Sequence, residues 1–154
     1  MTKRHPFLIG GQWRTSDDIL TVRFPYNGEV VAEVCQASDA DLEDAVRAAE
    51  RGFAITRKLP AHARARILYA LLDQMEKRTE NLIETLVMEG GKARKIAQGE
   101  VARAKETVRV AAEEAKRIGG EIVPIDWTEA GEKRFGFMRR LPLGPVLGLS
   151  LIHI

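Results

Sequence analysis

The chain has 154 residues, with 24 Lys or Arg against 22 Asp or Glu for a formal charge of +2, and is 45% hydrophobic but only 6% aromatic. That is one soluble domain or less, and charge so evenly balanced sets up no field to gather nucleic acid or anionic lipid. The single cysteine, Cys35, excludes an internal disulfide and a thiolate metal site and fits a reducing, cytoplasmic setting. The opening Met1-Thr2-Lys3-Arg4-His5-Pro6 is not followed by the apolar run of a signal peptide, and no stretch of 18 apolar residues occurs. The expectation is a protein that is neither exported nor membrane-spanning.

The first third reads as short strands. Phe7-Leu8-Ile9 breaks at Gly10-Gly11 before Gln12-Trp13-Arg14, a strand, a glycine turn and a second strand. Residues 19–24 are rich in β-branched and aromatic types and stop at Pro25-Tyr26-Asn27-Gly28, where Asn-Gly supplies the positive φ of a tight turn. β character resumes over residues 29–35 without clean alternation, which marks partly buried edges of a larger assembly.

At Ser38 the period changes. Ser38-Asp39-Ala40-Asp41 has capping-box spacing, with acidic residues where they complement the helix dipole. A helix is predicted to about Phe53, its face made by Leu42, Ala45, Val46, Ala49 and Phe53, with Gly52 near its end as a stop. A second helix follows Leu59-Pro60 with Ile67, Leu68, Leu71, Leu72 and Met75 as its stripe; a third follows Thr79 with Leu82, Ile83, Leu86 and Val87 inward and closes on Glu89-Gly90-Gly91. These elements are expected to form a helical hairpin. Residues 92–118 carry the longest periodic stretch, with Ile96, Val101, Ala104, Val108, Ala111, Ala115 and Ile118 at helical spacing and Gly99 placed to kink it. After Gly119-Gly120, β signals return over residues 121–125, 134–140 and 146–149.

No residue set stands out as a reaction centre. Cys35, on a strand of Val and Ala with no local base or cation to lower its pKa, reads as a small buried hydrophobe. His5, His62 and His153 lack any metal-ligand spacing and read as surface residues. Gly90-Gly91-Lys92 follows a helix rather than a strand, so it reads as a helix cap and not a phosphate loop. Leu143-Gly144-Pro145-Val146-Leu147-Gly148 is not the GxGxxG fingerprint. Lys133-Arg134 and Arg139-Arg140, flanking Phe135 and Phe137, read as a charge-guarded edge strand rather than a nucleic-acid platform. A mixed α/β chain with β pieces too short for a sheet has the look of the front of a larger domain.

The ordered set of motifs resembles the N-terminal portion of the aldehyde dehydrogenase superfamily. Phe7-Leu8-Ile9-Gly10-Gly11-Gln12-Trp13 is similar to the family's (F/L)IGGxW opening. Pro25-x-x-Gly28-Glu29-Val30, the Ser38-Asp39-Ala40-Asp41 helix start with Ala48-Ala49 and Phe53, Glu89-x-Gly91-Lys92, Glu100-Val101 and Ala111-Ala112 follow in order, and residues 139–146 are similar to RRxPxGxV. The form Gly144-Pro145-Val146-Leu147-Gly148 looks most like the branch of non-phosphorylating glyceraldehyde-3-phosphate and lactaldehyde enzymes. Phe24 departs from the family's usual Asn before Pro25.

The resemblance implies an incomplete α/β domain over residues 1–150: early strands, a helical hairpin and a long helix, then strands of the oligomerisation arm (135–141) and the first strand of a Rossmann-like sheet (146–149). It implies oxidation of a small aldehyde to a carboxylic acid through a cysteine thioester, with NAD or NADP as hydride acceptor and a glutamate base, in a homo-oligomer of the full-length protein. In relatives these catalytic and cofactor-contacting residues lie beyond the region represented in this chain. The resemblance therefore assigns no catalytic, cofactor-binding or metal-ligating residue to it, and the chain alone is expected to be inactive and to bind no cofactor. Glu89 occupies a position where some members place a carboxylate near a monovalent cation, and no metal role is assigned to it. After Ser150 the family continues with the loop that supplies an oxyanion donor, whereas here stands Leu151-Ile152-His153-Ile154. Residues 149–154 look like an in-frame translation of a sequencing adapter, so 151–154, or the whole hexapeptide, is read as a non-native tail. The alternative is a self-contained helical interaction module without catalysis.

Overall fold

The computed structural model describes residues 4–149. The expected non-native tail therefore lies, from residue 150 on, outside the described residues, as does His153. Strands β1 (Arg4–His5), β2 (Phe7–Ile9), β3 (Gln12–Arg14), β4 (Ile19–Arg23) and β5 (Val30–Cys35) come first. Helices α1 (Asp39–Thr56), α2 (Ala61–Lys77), α3 (Thr79–Gly90) and α4 (Arg94–Glu114) follow, and β6 (Gly120–Val123), a short 3-10 turn (Glu129–Gly131) and β7 (Gly136–Arg139) close the described chain.

The strands make three small sheets. β2 and β3 pair antiparallel as the Gly-Gly sequence predicts, with Gly10 at φ +58° and Gly11 at +84°, a turn that two residues with side chains would adopt only under strain. β5 is central to a three-stranded sheet, parallel to β1 and antiparallel to β4 with Ile19 opposite Cys35. The β4–β5 turn closes where expected: the Phe24 amide donates to the Glu29 carbonyl (2.8 Å), and the Asn27 side-chain oxygen accepts from the Glu29 amide (3.0 Å). β6 and β7 form a two-stranded ribbon with Ile122 opposite Phe137.

α1 begins as its sequence dictates. Ser38 Oγ accepts from the Asp41 amide (3.3 Å) while Asp41 Oδ2 accepts from the Ser38 amide (3.0 Å), a complete capping box. Gly52 does not stop it: the helix continues through it to Thr56, because a single interior glycine costs only about 1 kcal/mol. The chain turns at Leu59-Pro60, where proline excludes the helical conformation from the residue before it.

The expected helical hairpin takes a different form. α4 is the common partner, packing on both α2 and α3, and α1 stands apart against β2. The buried face of α4 is also offset from the predicted stripe. Val101 is inside as predicted, as is Ala115 just past the last turn, but Ala97 and Ala112 fill the rest of the face while Ile96, and Ile118 beyond the helix, are exposed. Both faces satisfy helical spacing; what selects the alanine face is close approach, since only small side chains let two helix backbones near each other. The helix runs through Gly99 without a break. On α2, Leu72 is buried but Ile67 and Leu71 are exposed, and on α1 nothing is buried at all. The main cluster is Ile83, Ala97 and Val101, flanked by Leu82, Leu86 and Val87. Arg64 fastens the far end, donating through Nη1 to the Leu59 carbonyl (2.6 Å) and through Nη2 to that of Ala115 (3.4 Å).

The predicted strand at residues 146–149 is not one. Residues 140–149 have no ladder partner, and Val146, Leu147 and Leu149 are exposed, as is Leu143 at 95%. A strand exists only through hydrogen bonds to a neighbour, and no described strand pairs with this segment.

The surface area expresses the same deficit. At 17.2 kDa the chain exposes 12480 Å², whereas a folded monomer of that mass exposes roughly 7,800 Å², so roughly 4,700 Å² more surface is open than a finished globule leaves. Among the described residues, no aromatic side chain is buried.

Candidate functional site

Two concavities are candidates. The first, about 570 Å³, lies between the β1-β5-β4 sheet and α3 and is lined by His5, Val22, Val34, Asn81, Glu84 and Glu89. The strand alternation that turns Val22 and Val34 toward α3 also makes its floor apolar. His5 is thus half-buried in β1, not the surface residue expected; His62 is exposed. The second, about 450 Å³, is an apolar groove on α3 and α4, lined by Leu82, Leu86, Val101 and Ala104 with Glu100 and Arg103 among its polar residues.

The hydroxyls that line them are committed to their own helices, Thr85 Oγ1 donating to the Asn81 carbonyl (2.8 Å) and Thr107 Oγ1 to that of Arg103 (3.0 Å). Cys35 closes β5 at 3% exposure, opposite Ile19, and is absent from the lining of both concavities. Its role is that of a small core residue, as expected. Among the described residues no group of three or more His, Cys, Asp or Glu could hold a metal ion.

The Glu89-Gly90-Gly91-Lys92 segment has a structural explanation. Gly91 caps α3 in the left-handed conformation, at φ +62°, and a Cβ built on it would come within 3.2 Å of the Pro25 ring. The β4–β5 turn is thereby seated on the end of α3. Lys92 then reaches across to α4, its Nζ 2.7 Å from one Glu100 carboxylate oxygen and 2.9 Å from the other, with both side chains partly buried. An ammonium already satisfied by a bidentate carboxylate, at the C-terminal end of a helix, is not a phosphate cradle.

Among the described residues no dinucleotide-binding turn is assembled either. Such a site needs a strand leading through a glycine turn into a helix N-terminus. Here Gly10-Gly11 joins two strands, Gly90-Gly91 ends a helix, and the 143–148 segment is unpaired. The glycine turns among the described residues therefore do not form that cradle for NAD or NADP.

One electrostatic constellation went unseen in the sequence. Arg14, at the end of β3, donates through Nη1 to Asp41 (3.0 Å) and Asp44 (2.8 Å) on the first turns of α1, and Arg47 holds the other Asp44 oxygen at 2.8 Å. The Ser38 hydroxyl and amide, and then Arg14, hold the Asp41 carboxyl below its ordinary value; Arg47 and then Arg14 do the same for Asp44. Asp41 was legible as part of the helix-start pattern, but Asp44 was not singled out, and a partner 27 residues from Asp41 was not legible. The clamp ties the end of β3 to the first turns of α1. The ring of Phe135, just before β7, and that of Phe137 within it lie 6.3 Å apart, 72% and 71% exposed.

Comparison with known proteins supplies what the geometry leaves open. The family model for the aldehyde dehydrogenase family matches residues 13–150. An aldehyde-dehydrogenase-like protein of Sinorhizobium fredii is 38% identical over 131 residues, covering 85% of this chain and 26% of its own length. The 3-sulfolactaldehyde dehydrogenase of Priestia megaterium is 31% identical over 152 residues, covering 99% of this chain and 31% of its own length. Among solved structures, NADP-dependent glyceraldehyde-3-phosphate dehydrogenase from Bacillus halodurans, complexed with NADP, superposes with a TM-score of 0.85 at 30% identity, over 92% of this chain and 30% of that one. The chain belongs to the aldehyde dehydrogenase family, and its α/β fold is the N-terminal part of the family's. It spans less than a third of the length of these relatives. No helix among the described residues is long and apolar enough to cross a membrane.

Proposed function

We propose that residues 1–150 are the N-terminal scaffold of an NAD(P)-dependent aldehyde dehydrogenase that oxidises a small aldehyde to its carboxylic acid, and that this scaffold alone is inactive. The single observation behind this reading is a family match over residues 13–150 in a chain that spans only 26–31% of its relatives. NAD or NADP serves the full-length protein, on residues outside this chain.

A self-contained interaction module is not favoured. Such a module would bury its apolar stripes, whereas α1 has no buried residue and residues 141–149 lie almost wholly open. In the full-length protein the β6–β7 ribbon serves a homo-oligomer. It is a two-stranded ribbon with both outer edges unpaired and Phe135, Phe137 and Ile122 exposed, a unit only marginally stable by itself.

The test is reduction of NAD+ or NADP+ by the protein encoded by the longer reading frame, offered a panel of small aldehydes, beside the 154-residue chain. Turnover by the longer protein and none by the 154-residue chain is expected. Turnover by the chain alone, or a longer frame lacking an in-frame cysteine and glutamate after residue 150, would refute the reading.

A further inference from the structure

We draw no further inference here: the strongest candidate, the apolar groove on α3 and α4 lined by Leu82, Leu86, Val101 and Ala104, carries nothing because nothing in the structure shows what covers it.

Discussion

Ser38, Arg14 and Gly91 each do a job that a single substitution can remove. Ser38→Ala deletes the N-cap acceptor and leaves the Asp41 amide unpaired; the expected cost is about 1 kcal/mol. In the longer protein it should appear as faster amide exchange confined to residues 39–42, and unchanged protection there would contradict the capping role. The Arg14 clamp makes a prediction about pH. Both carboxyls, Asp41 and Asp44, sit below their ordinary value of 3.8 in the folded state, so they add stability above that value and lose it as pH falls through the depressed folded one. Docking of the β2–β3 hairpin on α1 should therefore weaken in acid below pH 3.8. Trp13, next to Arg14, reports it by fluorescence in a Trp127→Phe background. Arg14→Leu should flatten that acid transition, and an unaltered transition would remove the clamp from the account.

Helix ends and helix faces were unequally legible. The capping box at Ser38, the turn at Asn27-Gly28 and the Gly91 cap are local: spacing and residue type determine them within a few positions. The inner face of α4 was not, because Ile96 and Ala97 both fit the period and the choice rests on how near α3 approaches. Two glycine substitutions separate these ideas. Gly91→Ala forces a left-handed backbone and a 3.2 Å contact with Pro25, a penalty of roughly 1–3 kcal/mol. Gly99→Ala, inside α4 with nothing within 4 Å of the new methyl, should instead stabilise by about 0.5–1 kcal/mol. Thermal inactivation of the longer protein should shift down for the first and up for the second; equal shifts would mean that the cap geometry is not what Gly91 supplies. For the β6–β7 ribbon, Phe137→Asp should lower the oligomeric state seen by sedimentation, and an unchanged assembly would move the subunit contact elsewhere.

Seen whole, the molecule is short of partners rather than short of helices. Among the described residues its buried side chains are Ile9, Cys35, Leu72, Ile83, Val101 and four alanines, a thin core for a chain of 154 residues. The sequence already hinted at this through strands with no clean alternation and a late apolar segment. Residues 146–149 read as a strand because their composition is that of one, yet pairing is a property of neighbours, and no period in the segment could reveal whether a neighbour is present. The reaction centre was illegible for a related reason. Cys35, His5 and His62 have side chains suited by type to nucleophilic or acid–base work, yet the fold brings neither histidine together with the thiol: Cys35 is sealed at the end of β5, and His5 faces a concavity that Cys35 does not line.

Calorimetric melting of the purified 154-residue chain, run beside binding of a hydrophobic dye, tests most directly whether this is an unfinished scaffold. Roughly 4,700 Å² of surplus surface predicts strong dye binding and a broad transition without a sharp endotherm. A single cooperative endotherm from a monomer that leaves the dye dark would contradict it.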